Sequence, residues 1–516
     1  MTIRRDAPTP TGTAAQAAVA GVAARAGVRG ATMIEALLLA VWAAPCLVIV
    51  GGLFYRSTML LQRNYNEGWN AFHAASWLHG GPLYYPASAL VTNNYPPLSF
   101  IAVAWLMHLI PDAVFAGRAL ADTALIGMAV LIMLILRATT RDAVAAVAGG
   151  VTFVSYMAIN AEGYVGVDDP QFLALAVLLL GFCIKLRLGA RPAADVLSAL
   201  VITIGLFVKH NNIALPVTLG VWLLVFDRMA GLRFIATGIV AGVFGLLAAR
   251  VAFGPAFITS LLAPRVYSLS LAARQALDWL GPMKPLVVLA AIPVVVFPRD
   301  RTALLFGGYL AAALLVGCMV AAGSGTGPNA MYEVVIAAAL AIGHLVARLA
   351  QPGLLRSVHL RAWVIVAAAF ATVVTPDLYA AKDVLMLPSW LAVQRQREAA
   401  TRQAVRFIAS QPGPALCSTP TYCYWAGKPF EVDPFNFGQA VLTRQKPVTE
   451  LTDRIVAGYY GTIELFYAWD DAALPAGRQV DIRAALMTAI ARNYQEVPVS
   501  DVPSSFWVRK TPGAGG

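Results

Sequence analysis

Long apolar runs separated by short polar segments dominate the first three quarters of this sequence. Most of the runs reach or approach the roughly 20 residues that an α-helix needs to cross a bilayer. The pattern therefore predicts an α-helical polytopic membrane protein. The predicted spans occupy residues 34–54, 119–136, 143–160, 171–186, 194–208, 213–227, 234–253, 285–297, 302–321, 333–348 and 362–376.

One further apolar run, 98–110, is predicted to lie at the outer interface, because it is short and follows Pro96 and Pro97. Leaving this run out of the membrane places 16 Lys and Arg residues in one set of connections and 8 in the other. Cytoplasmic connections carry the excess of Lys and Arg. The charge pattern therefore predicts about eleven spans, a cytoplasmic N-terminus and an extracytoplasmic C-terminus.

The composition excludes a soluble globular chain. Of 516 residues, 59% are hydrophobic and 13% charged, with a mean hydropathy of +0.68, whereas soluble domains carry about 25% charged residues. The net charge of +11 comes without a basic tract interleaved with aromatic residues, so nucleic acid is not indicated as a partner. The predicted partner of the apolar part is the lipid bilayer.

The last 140 residues read differently. A helical stretch, 377–404, precedes strand-like pieces at 415–419 and 422–425, and an amphipathic segment follows at 482–494. This pattern predicts a small extracytoplasmic α/β domain. The predicted organisation is a cytoplasmic tail, a transmembrane unit and this domain, with boundaries at 1–33, 34–376 and 377–516, and an unstructured end at 511–516.

Five cysteines are present. Cys46, Cys183 and Cys318 lie in apolar runs and are interpreted as small hydrophobic residues. Cys417 and Cys423 lie in the polar C-terminal region, where a disulfide is compatible with an extracytoplasmic location. Their spacing alone does not decide whether they are joined.

The first outer loop, 55–97, contains a single acid, Glu67. A helix is predicted to begin there, with Asn66 as its cap and Glu67 in its first turn. Aromatic residues follow at helical spacing, which favours a helix at the membrane interface. Two interpretations stay open: Glu67 serves only the helix terminus, or it is aimed into an outer cavity as a functional acid.

Two further polar clusters fall on the same predicted side. Asp168 and Asp169 precede Pro170 at the start of a span. Asp169 suits a helix cap, but a second acid beside lipid indicates a functional site. Lys209 and His210 lie between two apolar runs, where Lys209 either extends to the lipid head groups or joins His210 as a donor to a phosphate.

Weaker candidates come from the remaining outer loops. The glycine-rich segment 323–333 does not follow a strand, so it is not a dinucleotide-binding motif. Asn329 and Glu333 lie in it, and Arg265 lies in the loop 254–284 as a candidate phosphate ligand.

All these residues share one side under a topology derived from charge alone. A carboxylate can act as general base on a hydroxyl, and cations can stabilise a leaving phosphate. The combination predicts a reaction between a membrane-borne phosphate and a hydroxyl. The sequence has no Walker A loop, His-Glu-x-x-His or Gly-x-Ser-x-Gly motif, so an ATP-driven pump, a zincin and a serine hydrolase lack support.

The order of these motifs resembles the GT-C superfamily of membrane glycosyltransferases, and most closely its bacterial aminoarabinose transferase and protein O-mannosyltransferase branch. The resemblance extends over residues 34–230 and weakens afterwards. It rests on an acidic first loop, two short proline-containing segments, an Asp-Pro pair and a lysine before an apolar run. These are Glu67, 80–84 (GGPLY), 94–98 (NYPPL), Asp169 with Pro170, and Lys209.

The resemblance implies roles for the polar residues. Glu67 would be the catalytic acid of the first loop, and Asp169 with Asp168 the acid of the second loop, with or without a divalent cation. Lys209 would bind the phosphate of the lipid.

This sequence departs from the family at two positions. The family usually has Asp where Asn66 stands, and the aminoarabinose branch has Lys where Tyr95 stands. A phosphate contact is therefore either lost or supplied by His210 or an arginine.

The predicted protein is an integral glycosyltransferase of the bacterial inner membrane. It would move a sugar from a polyprenyl-phosphate donor to an extracytoplasmic acceptor, which is a lipid, a glycan or a protein, with inversion in a single displacement. The alternative is a transporter or flippase of lipid-linked glycans, but repeated halves and charges inside broken spans, typical of transporters, are not found. A membrane-anchored scaffold would leave the polar clusters unexplained.

Overall fold

The computed structural model of the chain describes residues 12–350, 358–373, 384–465 and 482–510, with side chains described from residue 32 onward except at 358. Three sequence predictions concern segments outside these ranges. They are the start of the N-terminal tail, the boundary between 376 and 377, and the end at 511–516.

Fourteen helices lie in the described part of the chain up to residue 373. In chain order they are α1 (Gly12–Ser57), α2 (Tyr65–Leu78), α3 (Leu98–Leu106), α4 (Ala113–Thr140), α5 (Ala143–Asn160), α6 (Gln171–Leu188), α7 (Pro192–Val208), α8 (Ala214–Phe226), α9 (Arg228–Phe253), α10 (Ala256–Leu261), α11 (Leu269–Val296), α12 (Arg301–Val320), α13 (Tyr332–Arg348) and α14 (Val358–Val373). A 3₁₀ turn, Pro328–Met331, precedes α13.

Eight helical segments of the described residues are long and apolar enough to cross a membrane. They belong to α1, α4, α5, α6, α9, α11, α12 and α13, the last extended by the 3₁₀ turn. Three shorter apolar helices, α7, α8 and α14, coincide with three more of the predicted spans. The chain is therefore a mostly helical, multi-pass membrane protein, and the figure of eleven spans stays a prediction.

The sequence prediction was wrong for the loop 254–284. Most of that segment is helical, because α10 occupies its first part and α11 begins at Leu269 and runs unbroken to Val296. Pro282 and Pro285 lie inside α11. A helix tolerates internal prolines when neighbouring groups satisfy the freed carbonyls.

Aspartates at the helix starts explain several acids of this apolar chain. Asp112, Asp142, Asp227 and Asp300 each precede a helix, and each side chain accepts backbone N–H groups of the first turn at 2.8–3.3 Å. An N-cap of this kind is worth about 1 kcal/mol. These four acids are therefore accounted for by local structure.

The helix α13 is the centre of the bundle. Its apolar segment is 94% buried, and it packs against α4, α5, α11 and α12. Two glycines permit the closest contacts: a Cβ at Gly149 of α5 or at Gly343 of α13 would lie 2.2 or 2.4 Å from a methyl group of Leu136. Small residues at such positions let membrane helices approach each other closely.

The residues after 384 form a four-stranded sheet with helices around it. The strands are β1 (Ala415–Cys417), β2 (Thr462–Leu465), β3 (Tyr494–Val497) and β4 (Ser505–Arg509), and the helices are α15 (Leu387–Ser410), α16 (Pro420–Trp425), α17 (Pro434–Leu442), α18 (Thr449–Val456) and α19 (Ile482–Asn493). The strand order is β1-β2-β4-β3, with β1 and β2 parallel and the other two pairs antiparallel. A separate apolar cluster lies under this sheet.

The predicted strand at 422–425 is wrong, because these residues belong to the helix α16. Aromatic residues favour strands in general. Here Pro420 occupies the first turn of a helix, a position for which its fixed φ is suited. A disulfide between Cys417 and Cys423 joins the end of β1 to this helix.

The disulfide generates a prediction about stability. We expect Cys417→Ser to lower the free energy of unfolding by about 2 kcal/mol, because it releases a short covalent loop. The expected readout is a fall of a few degrees in the thermal unfolding midpoint of the detergent-purified protein. Cys318→Ser, which removes a free cysteine, is the control. Free thiols at both 417 and 423 in a non-reducing peptide map would contradict the pairing.

Candidate functional site

A cavity of about 960 Å³ opens where α5, α7 and α12 end and α13 begins. Its wall combines two cations, one histidine, many amides and many aromatic rings. The polar and aromatic lining residues are Asn64, Tyr65, Asn66, Trp69, Asn94, Tyr95, Asn160, Tyr164, Lys209, His210, Asn211, Arg265, Tyr267, Thr326, Asn329, Tyr332, Phe435 and Asn436. No carboxylate is among the described residues that line it.

Asp169 lies behind the wall of this cavity and is bonded to two of its lining residues. Its Oδ1 atom accepts the Lys209 ammonium at 2.8 Å and the backbone N–H of Gln171 at 2.8 Å. Its Oδ2 atom accepts the side-chain amide of Asn66 at 2.9 Å. Asp169 therefore caps the start of α6, as the sequence suggested, and also joins two residues that line the cavity.

Lys209 follows the last residue of α7 and is almost completely buried. Its ammonium lies 5.0 Å from the centre of the Tyr95 ring, a distance typical of a cation–π contact. Burial acts to lower the pKa of Lys209, but Asp169 and Tyr95 outweigh it and raise the pKa above its usual value. Lys209 is therefore a fixed positive charge in the wall.

His210 is the next residue and is exposed toward the cavity. Enclosure by the cavity walls lowers the pKa of His210 to about 4, and Lys209 and Arg265 act in the same direction. Arg265 lies in the connection between α10 and α11, with its guanidinium 5.5 Å from the centre of the Phe435 ring. Three nitrogen-bearing side chains thus face one space, as a binding site for an anion requires.

Glu67 is placed differently from its prediction as an acid aimed into the cavity. It is completely buried, and Arg118 of α4 donates to both of its oxygens at 2.7 and 2.9 Å. The backbone N–H of Arg63 donates to it at 2.8 Å. Burial acts to raise the pKa of Glu67, but the charge of Arg118 lowers it overall.

The carboxylate of Glu67 is therefore ionised, paired and absent from the cavity wall. The remaining donors of Arg118 bind backbone carbonyls of Ser57, Met59 and Leu61. The pair anchors the first turn of α2 to the loop before it. This position corrects the expectation that Glu67 faces substrate.

Asp168 is buried beside α4, next to Glu67. A Cβ at Gly117 would lie 2.0 Å from its Oδ1 atom, so the absence of a side chain there makes room for the carboxyl group. Burial, with the nearby charges of Glu67 and Asp169, raises the pKa of Asp168 well above its usual value. Asp168 lines a small separate space rather than the large cavity.

Two weaker candidates have distinct positions. Asn329 lines the cavity and donates to the hydroxyl of Tyr164 at 2.8 Å. Glu333 does not line it, because its carboxylate accepts the backbone N–H of Leu215 at 2.9 Å at the start of α8. The expectation that Glu333 belongs to the site is therefore corrected to a role in helix packing.

The helix α2 differs from its prediction at its first residues, while its location at the membrane interface stays a prediction. It begins at Tyr65, and its cap is Asn64 rather than Asn66. Most of one face is buried inside the protein, under α16. A Cβ at Gly68 would lie 2.2 Å from the backbone nitrogen of Thr421, so Gly68 allows α16 to rest directly on α2.

Residues after 430 contribute to the cavity, which the sequence did not predict. Asp433, completely buried at the start of α17, accepts the hydroxyl of Tyr65 at 2.6 Å and the indole N–H of Trp69 at 2.8 Å. Phe435 and Asn436 then close one side of the cavity. No local signal connects residues 364 or more positions apart, and Arg118 was missed because it lies in a predicted span.

Among the described side chains, no group of three or more His, Cys, Asp and Glu residues could hold a metal ion. Asp169 is occupied by the Lys209 ammonium, and Glu67 by Arg118. The described acids therefore do not fit the divalent cation that the family resemblance left open.

No family model matches this sequence, and no curated protein sequence does either. Its fold, however, has solved counterparts. The crystal structure of ArnT from Cupriavidus metallidurans bound to undecaprenyl phosphate superposes with a TM-score of 0.57 and 15% identity, covering 94% of this chain and 99% of the ArnT chain. The apo structure of the same protein gives 0.57 and 13%, covering 93% and 98%. The predicted resemblance to the GT-C superfamily is confirmed as a likeness of fold.

The contact at Gly68 predicts that α2 tolerates no side chain there. We expect Gly68→Ala to push α16 away from α2, and so to lower the thermal unfolding midpoint and expose the C-terminal residues to protease. Gly127→Ala on α4 is the matched control, because a Cβ there meets nothing within 4 Å and alanine is the better helix former. Equal behaviour of the two variants would contradict this packing.

The buried pair of Glu67 and Arg118 predicts a large loss on removal of one partner. We expect Arg118→Met to lower the free energy of unfolding by about 3–5 kcal/mol, since it leaves a buried charge uncompensated. The double variant with Glu67→Gln should recover part of the loss in chemical unfolding in mixed micelles. Lys446→Met, which breaks a more exposed pair with Glu450, should cost less than about 1 kcal/mol. Similar losses for the two single variants would contradict the assignment.

Proposed function

We propose that this chain is a membrane glycosyltransferase that takes a sugar from a polyprenyl-phosphate donor and transfers it to an extracytoplasmic acceptor. The observation that carries the proposal is the cavity in which Lys209, His210 and Arg265 face amides and aromatic rings. Cations and polarised N–H groups suit a phosphate, and aromatic faces with amides suit a sugar ring. The likeness of fold to ArnT, whose structure binds undecaprenyl phosphate, supports the same donor class.

The cavity also has an apolar wall suited to an isoprenoid chain. Ile213, Leu261, Val316, Met319 and Val320 line it, and the last three lie at the end of α12. A donor would place its chain along this wall and its phosphate at the cations. Burying apolar surface there contributes about 25 cal/mol per Å².

The proposed reaction is a single displacement. The acceptor hydroxyl oxygen bonds to the anomeric carbon while the bond from that carbon to the phosphate oxygen breaks, and the phosphate leaves on the lipid. The hydroxyl proton passes to Asp169, which a donor phosphate would free by attracting the Lys209 ammonium away from it. A general base in this position contributes about 10²–10⁴-fold.

Glu67 and Asp168 have positioning roles in this proposal. Glu67, held by Arg118, fixes the first turn of α2 and thereby Asn66, which bonds Asp169. The backbone carbonyl of Asp168 accepts the amide of Asn70 at 2.7 Å, which ties the acidic loop to the same helix. Asn329 and Tyr95 would contact substrate from the opposite walls.

We further propose that the N-terminus is cytoplasmic, that the cavity and the sheet lie outside the cytoplasm, and that the protein resides in a bacterial inner membrane. The charge bias of the connections supports this orientation. The disulfide between Cys417 and Cys423 also supports it, because such bonds persist in oxidising compartments. The division into 1–33, 34–376 and 377–516 is proposed on the same grounds.

The test of the proposed reaction is a transfer assay with the purified protein in nanodiscs. A panel of undecaprenyl-phosphate-linked hexoses, pentoses and aminopentoses is offered with envelope extracts as acceptors, and labelled products are counted. We expect wild-type transfer with at least one donor, and losses of about 10²-fold or more in Asp169→Asn as a missing general base implies. Lys209→Met should lose transfer as well, because the leaving phosphate is no longer stabilised.

Two controls define the outcome. Asp453→Asn removes a carboxylate from α18, and Lys446→Met removes an ammonium just before it; both residues lie away from the cavity. These variants match the charge changes of Asp169→Asn and Lys209→Met, and they should transfer sugar as the wild type does. Transfer that survives Asp169→Asn would remove the proposed base. Movement of an intact lipid-linked sugar across the bilayer without transfer would favour the flippase.

A further inference from the structure

The charge of the donor phosphate changes during the proposed reaction. In the donor the phosphate is a diester with one negative charge, and after transfer it is a monoester with a second ionisable oxygen. The monoester carries about −1.5 to −2 charges at neutral pH, since its second pKa is near 6. A site that serves both forms must therefore accommodate about one additional negative charge as the bond to the sugar breaks.

We infer that His210 takes up a proton as the phosphate monoester forms, and so acts as the responsive third charge of the phosphate site. This inference rests on the proposed function. Lys209 and Arg265 are cations, and Asp169 is paired with Lys209. These three groups together carry one net positive charge, which balances the diester without His210. The monoester calls for one more positive charge, and His210 is the group in the wall that can supply it.

The geometry supports this role. His210 directly follows Lys209, faces the same cavity as Arg265 and is exposed toward it. No hydrogen bond joins its ring to any described residue, so both ring nitrogens are free to meet a ligand. Two other histidines are placed differently, because His344 has a partner in Asp300 at 3.0 Å and His73 is completely buried.

The surroundings of His210 in the cavity favour its neutral form. Enclosure and the charges of Lys209 and Arg265 lower the pKa of its imidazole to about 4. An anion placed among these groups cancels the two repulsive charges and adds an attraction, so the pKa of His210 rises on binding. The pKa of His210 rises more beside a dianion than beside a monoanion. His210 therefore takes up its proton when the monoester product is bound.

The other ionisable groups around the cavity do not compete for this proton. Tyr65 and Tyr164 line the wall, and burial raises the pKa of each hydroxyl well above its usual value, so both stay neutral. Asp169 lies behind Lys209 and is paired with it, and Asp433 accepts hydrogen bonds from Tyr65 and Trp69. Histidine is the side chain whose charge small changes of environment shift near neutral pH.

The proton balance of the reaction follows directly. The acceptor hydroxyl releases one proton as its oxygen bonds to the sugar, and the departing phosphate gains one negative charge. Asp169 receives this proton and passes it on to His210, through solvent or by relay, so that Asp169 pairs with Lys209 again and His210 carries the additional positive charge beside the monoester. After the monoester leaves, His210 returns its proton to solvent, so that no external oxidant, reductant or co-reactant is needed.

The inference is tested by counting protons during binding. Undecaprenyl phosphate, and its methyl diester as a ligand that cannot gain the second charge, are titrated into the nanodisc protein at pH 7 by calorimetry in buffers of different ionisation enthalpy. We expect the wild type to take up a measurable fraction of a proton more with the monoester than His210→Asn does, because the pKa of His210 rises beside a dianion. With the diester the two proteins should differ little.

Protons taken up or released by the ligand itself contribute equally to the wild type and to His210→Asn, so they cancel in the difference between the two proteins. His210→Gln repeats the measurement with a longer amide, and His79→Asn, at an exposed histidine outside the cavity, should match the wild type. Equal proton uptake by the wild type and both His210 variants, with binding retained, overturns the inference and leaves the proposed function intact. Failure of the wild type to bind either lipid contradicts the proposed function, and the inference with it.

Discussion

The ion pair between Asp169 and Lys209 is the interaction on which the site depends. It joins the start of α6 to the end of α7 through a bond of 2.8 Å between two nearly fully buried side chains. Burying one such charge alone would cost several kcal/mol, so each partner fixes the other. Asn66 of α2 and the backbone of Gln171 in α6 also donate to Asp169. The pair therefore fixes the start of α2 and the cavity wall that Asn66 and Lys209 form.

The three clustered acids differ because their partners differ. Glu67 has an arginine and is ionised, Asp169 has a lysine, and Asp168 has neither, so burial beside two negative neighbours raises its pKa. Similar side chains within one loop and one helix turn thus hold different protonation states. Among the described acids, Asp169 is the one paired with a cation that lines the cavity. A phosphate could attract that cation, and for this reason Asp169 is the proposed general base.

The sequence predicted the features that depend on local pattern and charge. The apolar runs located the spanning helices, and the grouping of Asp169, Lys209 and Asn66 at one end followed from the distribution of Lys and Arg. The sequence did not predict which acid bonds the residues that line the cavity. Glu67 and Asp169 look equally available along the chain, and only the fold brings Arg118, from inside a predicted span, onto Glu67. Likewise, Glu333 reads as a loop acid until α8 is seen to begin beside it.

Residues of the C-terminal part of the chain, Phe435 and Asn436, form part of the cavity wall. Asp433 bonds Tyr65 and Trp69 of α2, and the chain then places Phe435 beside Arg265. Since Asp433 is completely buried, separating α17 from α2 would leave the Tyr65 hydroxyl and the Trp69 indole N–H without this acceptor, at a cost of about 1–3 kcal/mol for each group that stays buried and unpaired. Asp433 itself would keep Asn436 as its partner. Because Phe435 of the same segment contacts Arg265 and lines the cavity, the membrane helices alone do not form the whole cavity.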